Sequence, residues 1–193
     1  LTGFHHPKNP VDYLVPIIGM HRLQRVFPDE FLPRRRAEQF RSGLVAVAND
    51  AVLMDERIPI VVDTREQAEY AFDPNRFRVE RRALPAGDYS LVGNEERVAV
   101  ERKSLADFAQ TVIRARRRFH EELKKLAARE FACVVVEGSM RDVLDGVYGT
   151  GAHPNAVFGA AISICVDWGV PVHFCGDRQT AKQFVEAYLE RCW

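Results

Sequence analysis

The stretch that most constrains this chain is residues 98–103, where Val98, Ala99 and Val100 run without a turn residue into Glu101, Arg102 and Lys103. Ser104 follows as a helix N-cap, with Asp107 three residues later at the capping-box position. Three apolar, β-prone residues leading into three charged ones predict a strand whose carboxyl end leaves the core. Side chains alternate along a strand, so Val98, Val100 and Arg102 share one face and Ala99, Glu101 and Lys103 the other. The valine face is the expected core. The opposite face carries an acid and an amine that project together. Such a pair suits metal-dependent phosphodiester chemistry, in which a carboxylate oxygen ligates a hard cation and an ammonium stands beside the attacking water or the phosphate. Taken alone, the charged triplet also reads as a solvated strand end, in a chain that is 28% charged.

Around this strand the chain reads as a layered α/β domain. Residues 58–63 are a short apolar run ending in Asp63, followed by Arg65 and Glu66. Residues 77–84 alternate apolar and charged, Pro85 to Gly87 signal a turn, and residues 88–92 form the next strand. The short turns predict that these two strands and 97–103 form an antiparallel meander. Helical spacing continues through Phe108, Val112, Phe119, Leu123 and Leu126, with a break near Arg114. Residues 131–136 form a buried strand, and 146–154 a glycine-rich loop. An apolar helix over 155–168, a strand over 170–174 and an amphipathic helix over 177–191 complete the pattern. This order implies an α/β/α sandwich around a central mixed sheet.

Residues 1–56 are expected to be an extension to a domain spanning 57–193. Five prolines punctuate residues 1–33, and 33–41 suit a short basic helix with proline at its start. The chain begins at Leu1 rather than Met, and a start at Met54 leaves a complete-looking domain. There is no membrane-length apolar run and no signal-peptide pattern. Cys133, Cys165, Cys175 and Cys192 lack paired metal-site spacing and read as buried, reduced thiols. A cytoplasmic setting, nucleoid-associated in a prokaryote, follows as the expectation. The formal charge is zero, so any electrostatic case for nucleic acid is local. Between Arg97 and Arg129 there are ten Lys or Arg residues against four acids, with Arg116, Arg117 and Arg118 consecutive. Arginines gathered near an acidic site suit a polyanionic backbone, although the same helix also offers Glu121 to Lys124 and Lys125 pairs of an ordinary solvated face.

Asp88, twelve intervening residues, then Glu101 and Lys103 is the pattern of restriction-endonuclease-like folds. With Asp63, Arg65 and Glu66 ahead of it, Gly87-Asp88-Tyr89 within it, and Asp107 after it, the whole resembles the XPF-type structure-specific nuclease domain from residue 58 to about 191. The resemblance implies that Asp63, Asp88 and Glu101 bind Mg²⁺ or Mn²⁺, with the Arg102 carbonyl as a possible further ligand. It implies that Lys103 orients the attacking water or offsets phosphate charge. Beside a bound cation Lys103 is expected to lose proton affinity and the acids to stay ionised. Arg65 and Arg102 match positions that contact phosphate or clamp acids. Glu66 and Asp107 match too, with pairing to an arginine and helix capping as their structural alternatives.

The implied function is a divalent-metal-dependent DNA endonuclease acting on branched, flap or junction DNA in repair or recombination. Many relatives continue into helix-hairpin-helix domains, and this sequence stops at Trp193. The expectation is a stand-alone nuclease, or one that takes DNA recognition from a separate partner or from a homodimer built through the carboxyl-terminal helices. A catalytically silent DNA-binding or dimer-partner subunit of the same fold is the alternative. A small-molecule α/β enzyme fits less well, because there is no Gly-x-Gly-x-x-Gly loop or P-loop and the arginines have no role in one.

Overall fold

A computed structural model describes residues 55–193. Of the extension expected over residues 1–56, residues 1–54, with the basic helix expected over 33–41, lie outside the described residues. The elements are β1 (Ile58–Val62), β2 (Phe77–Arg81), β3 (Tyr89–Leu91), β4 (Val98–Ser104), α1 (Leu105–Arg114), α2 (Arg116–Ala127), β5 (Phe131–Glu137), α3 (Met140–Asp145), α4 (Pro154–Asp167), β6 (Val172–Phe174) and α5 (Arg178–Cys192). The strands form a six-stranded mixed sheet in the order β2-β1-β3-β4-β5-β6. None of the described helices is long and apolar enough to cross a membrane.

The pleat of β4 organises both layers. Val98 and Val100 pack with Ile60, Val62, Tyr89 and α5 residues Ala181, Val185 and Leu189. Ala99 points the other way, into a cluster with Phe108 of α1, Phe119 and Leu123 of α2 and Val157 of α4. Both faces of β4 are therefore core at its amino end, not the valine face alone. At about 1.5–3 kcal/mol per fully buried large apolar side chain, the two layers pin the register of the central strands.

The expected meander is only half present. β3 and β4 are an antiparallel hairpin, but β2 pairs with β1, in parallel, at the sheet edge. After β1 the chain swings back through Tyr70 and Phe72, and a turn at Asp73, whose carboxylate accepts from the Asn75 amide, starts β2 alongside Ile58. Phe77 alone among β2 residues is buried, as suits an edge. The break near Arg114 is present: Ala115 separates α1 from α2. The short helix α3 is an addition to the expected order, marked by a capping box in which Ser139 and Asp142 bond reciprocally.

Candidate active site

Register brings the acids together. β1 pairs antiparallel with β3 (Val62 opposite Tyr89), and β3 with β4 (Tyr89 opposite Val100). One residue further along each ladder, Asp63 faces Asp88 and Asp88 faces Glu101, all on the α1–α2 side of the sheet. Backbone bonds hold this corner: the Asp63 amide donates to the Asp88 carbonyl (2.8 Å) and the Asp88 amide to the Val100 carbonyl (2.8 Å). Gly87 makes the approach possible. Its φ is +71°, and a Cβ there would lie 2.8 Å from the Val100 carbonyl oxygen.

The acids differ in what already holds them. Asp63 is 1% exposed and saturated. Its Oδ1 accepts from the Arg65 amide and Nε (2.7 Å each), and its Oδ2 from an Arg65 terminal nitrogen (2.9 Å) and the Leu84 amide (2.6 Å). Burial opposes its ionisation, but the Arg65 fork and the two amides outweigh that and hold its pKa down at about 2. Asp88 accepts one bond at Oδ2, from the Arg102 amide (2.7 Å). Burial first, and then the Glu101 charge, push its pKa up to about 8, with the Arg102 amide pulling the other way. Burial likewise raises Glu101, against the pull of Lys103, whose Nζ is 2.8 Å from Glu101 Oε1. Burial lowers Lys103, but Glu101 and Glu122 outweigh it and the net shift is upward. The protein groups by themselves thus push in the directions opposite to those expected beside a bound cation.

Arg102 points to the other face. Its side chain is 11% exposed, with Nε 3.1 Å from Glu66 Oε2 and a terminal nitrogen 3.2 Å from Glu137 Oε1. Arg178, at the start of α5, also binds Glu137 (2.7 Å) and donates to the carbonyls of Ala68 and Glu69 (2.7 and 2.8 Å). This chain of charges fastens the segment after β1 against the α5 face. Of the two roles open to Arg102, clamping acids is the one its surroundings match, and Glu66 is its partner. The Asp107 carboxylate accepts a hydrogen bond from the Ser104 hydroxyl (2.7 Å) and the Asp107 amide donates to Ser104 Oγ (3.1 Å), a helix-capping arrangement. Arg65 is 70% exposed and wraps Asp63. Arg116, Arg117 and Arg118 are exposed at the amino-terminal turn of α2, with Arg118 Nε 3.3 Å from Glu122.

Sequence reasoning missed Glu122, Glu137 and Arg178. Glu137 ends an apolar strand as Asp63 does, and that was its signal. Nothing in the pattern singles out Glu122 from its neighbour Glu121. Among the described residues no three His, Cys, Asp or Glu side chains stand grouped as a metal site. Asp63 and Glu66 are taken up by arginines, which leaves Asp88 and Glu101. Two oxygen donors side by side, both disfavoured as anions by burial and Asp88 also by the Glu101 charge, fit a hard divalent cation.

The ERCC4 domain model matches residues 62–188. This chain belongs to the ERCC4-domain family of XPF-type nucleases. A Methanocaldococcus jannaschii protein that carries the name of an ATP-dependent RNA helicase is 36% identical over 134 residues, covering 69% of this chain and 16% of that protein. XPF from Aeropyrum pernix superposes with a TM-score of 0.53 at 24% identity, over 69% of this chain and 64% of that one. The same protein in complex with DNA gives 0.54 at 25% identity, over 70% and 65%. The chain therefore spans about one sixth of the helicase relative and less than two thirds of the XPF chains. The fold is that of the XPF-type nucleases, as the sequence implied.

The thiols and apolar helices depart from expectation in detail. All four cysteines are free, but only Cys133 is fully buried, and Cys165 is exposed on α4. Val157 and Ile164 of α4 belong to the core, and Phe158 packs against it, so much of the apolar surface of this helix is used internally and not left for a dimer. Ile162 (46% exposed), Val166 (74%) and Trp193 (59%) are what remains outside.

Proposed function

We propose that this chain is a divalent-metal-dependent DNA endonuclease that hydrolyses phosphodiester bonds in branched, flap or junction DNA, in repair or recombination. The observation that carries the reading is the pairing of Asp88 and Glu101 across the β3–β4 hairpin, with the Lys103 ammonium on Glu101. Asp88 and Glu101 would hold Mg²⁺ or Mn²⁺, which when bound supplies positive charge at the scissile phosphate and acidifies water. Lys103, on the same side of the sheet, sets a second positive charge beside that position, where it counters charge developing on the phosphate. Asp63, locked by Arg65, braces Asp88 through the backbone and keeps the exposed Arg65 at the rim. Arg116, Arg117 and Arg118 offer a sequence-independent surface to the sugar-phosphate backbone. The DNA complex of the Aeropyrum pernix relative supports DNA as the polyanion.

We further propose a homodimer through α4 and the end of α5, where Ile162, Val166 and Trp193 are exposed, and a separate partner for DNA targeting remains compatible with it. The second reading, a catalytically silent DNA-binding or dimer-partner subunit, draws support from Asp63, whose carboxylate is already saturated by protein donors. One experiment separates the two. Full-length protein with Mg²⁺ or Mn²⁺ is assayed on single-stranded, duplex, flap and fork DNA, alongside Asp88→Asn and Lys103→Ala. Cleavage by the wild type that both variants lose, with folding and DNA binding retained, supports the endonuclease. DNA binding without cleavage on any substrate supports the silent subunit.

A further inference from the structure

Lys103 stands between two carboxylates. Its Nζ is 2.8 Å from Glu101 Oε1 and 3.8 Å from Glu122 Oε2, and the centroid of the Phe119 ring lies 5.1 Å from the same nitrogen. Glu101 and Lys103 come from β4, Phe119 and Glu122 from α2. Glu122 is itself shared, because Arg118 Nε is 3.3 Å from its Oε1. Among the described residues Lys103 forms an ion pair with no third carboxylate. An ammonium resting on a Glu101 oxygen opposes any cation that takes the same oxygen. If the lysine had nowhere else to go, it would compete with the metal.

We propose that Glu122 is a positioning residue that receives the Lys103 ammonium when Glu101 turns to a divalent cation. The proposal rests on the reading of Asp88 and Glu101 as the cation's ligands. A lysine is suited to such a move: a point charge with three rotatable donors on a flexible four-carbon stem. The Phe119 ring face keeps the ammonium within the gap by a cation–π contact. Glu122 thereby holds the lysine beside the reacting phosphate. The Arg118–Glu122 pair is a surface pair, with Arg118 86% exposed, and so is weakly held. A DNA phosphate that draws Arg118 away frees Glu122 for Lys103, which links backbone binding on α2 to the lysine on β4.

The test measures Mn²⁺ binding to the full-length protein by electron paramagnetic resonance, so cleavage plays no part in the readout. Wild type, Glu122→Gln, Lys103→Met and the double variant form a cycle. Glu122→Gln is expected to weaken Mn²⁺ binding by about five-fold or more, because the lysine then stays on Glu101. In the Lys103→Met background the same change is expected to have an effect below about two-fold. Equal losses in both backgrounds mean that Glu122 acts by its charge alone, and overturn the proposal. Asp88→Asn marks the cation site itself. Wild-type binding no stronger than that of Asp88→Asn overturns the ligand assignment, and this proposal with it.

Discussion

Replacing Arg102 with methionine tests which of two jobs that residue has. The Arg102 side chain is 11% exposed, and its guanidinium lies 3.1 Å from Glu66 and 3.2 Å from Glu137, whose side chains are only 5% and 12% exposed. Removing one partner of a buried ion pair costs about 3–5 kcal/mol, because the remaining charge loses its compensation. Glu137 keeps Arg178 and Glu66 keeps the Ala68 amide, so the lower end, about 3 kcal/mol, is expected here. Methionine preserves most of the stem's packing, which isolates the charge. At about 2–4 °C per kcal/mol for a chain of this size, the melting temperature should fall by about 6–12 °C in a thermal scan followed by circular dichroism. Adding Glu66→Gln should restore part of the loss, because it removes the stranded carboxylate. If Arg102→Met melts with the wild type while DNA binding drops and its salt dependence flattens, the guanidinium contacts phosphate and the clamp argument is refuted.

Three further outcomes are expected. Because the Asp88 carboxyl is raised from 3.8 to about 8, the folded protein keeps a proton that the unfolded chain has released; metal-free stability should fall as pH climbs from about 4 to about 8 and then level off. Asp88→Asn in EDTA should therefore match the wild type near pH 4 and exceed it by up to about 5 kcal/mol at pH 8 in urea titrations, and a gap that does not widen with pH contradicts the reasoning. Reversing the charge of Arg116, Arg117 and Arg118 should weaken DNA binding alike for all sequences and reduce the slope of log K against log salt by about 0.9 per lost duplex phosphate contact; an unchanged slope returns them to a solvated face. Val166→Glu should dissociate the proposed homodimer without disturbing the core, and a wild-type mass near 22.0 kDa in sedimentation equilibrium rejects the dimer outright.

Much of this was legible because strands report their own geometry. Asp63 and Glu101 follow β-prone runs and Asp88 opens one, and alternation alone sets Glu101 and Lys103 on one face and Arg102 on the other. What alternation does not report is the neighbour. Residues 77–84 looked like the first leg of a meander because a turn signal separates them from β3. Their pairing with β1 depends on how residues 63–76 fold back, and no local pattern encodes that. A partial signal existed: Ile60, Val61 and Val62 are all fully buried, and a continuous apolar run is what a strand with neighbours on both sides and layers on both faces requires. The single buried residue of β2 fits an edge. Glu122, Glu137 and Arg178 were not legible, since their roles arise only when α2, β5 and α5 dock against the sheet.

The same docking explains why three consecutive charges on β4 have separate tasks. The pleat sends Arg102 toward α5, where Glu66 and Glu137 neutralise it and it works as part of the frame. Glu101 and Lys103 go to the α2 side, where Glu101 meets a second acid from β3. There Lys103 also meets Glu122 and the Phe119 ring. Three buried or half-buried charges in a row would be costly on one face. Divided between two faces, one set is satisfied by protein partners. In the other, Lys103 pairs with Glu101, and burial and the Glu101 charge stand against ionisation of Asp88. Stability and chemistry are thus served by neighbouring residues of one strand, and the strain is confined to the face on which the sheet keeps Asp88 beside Glu101.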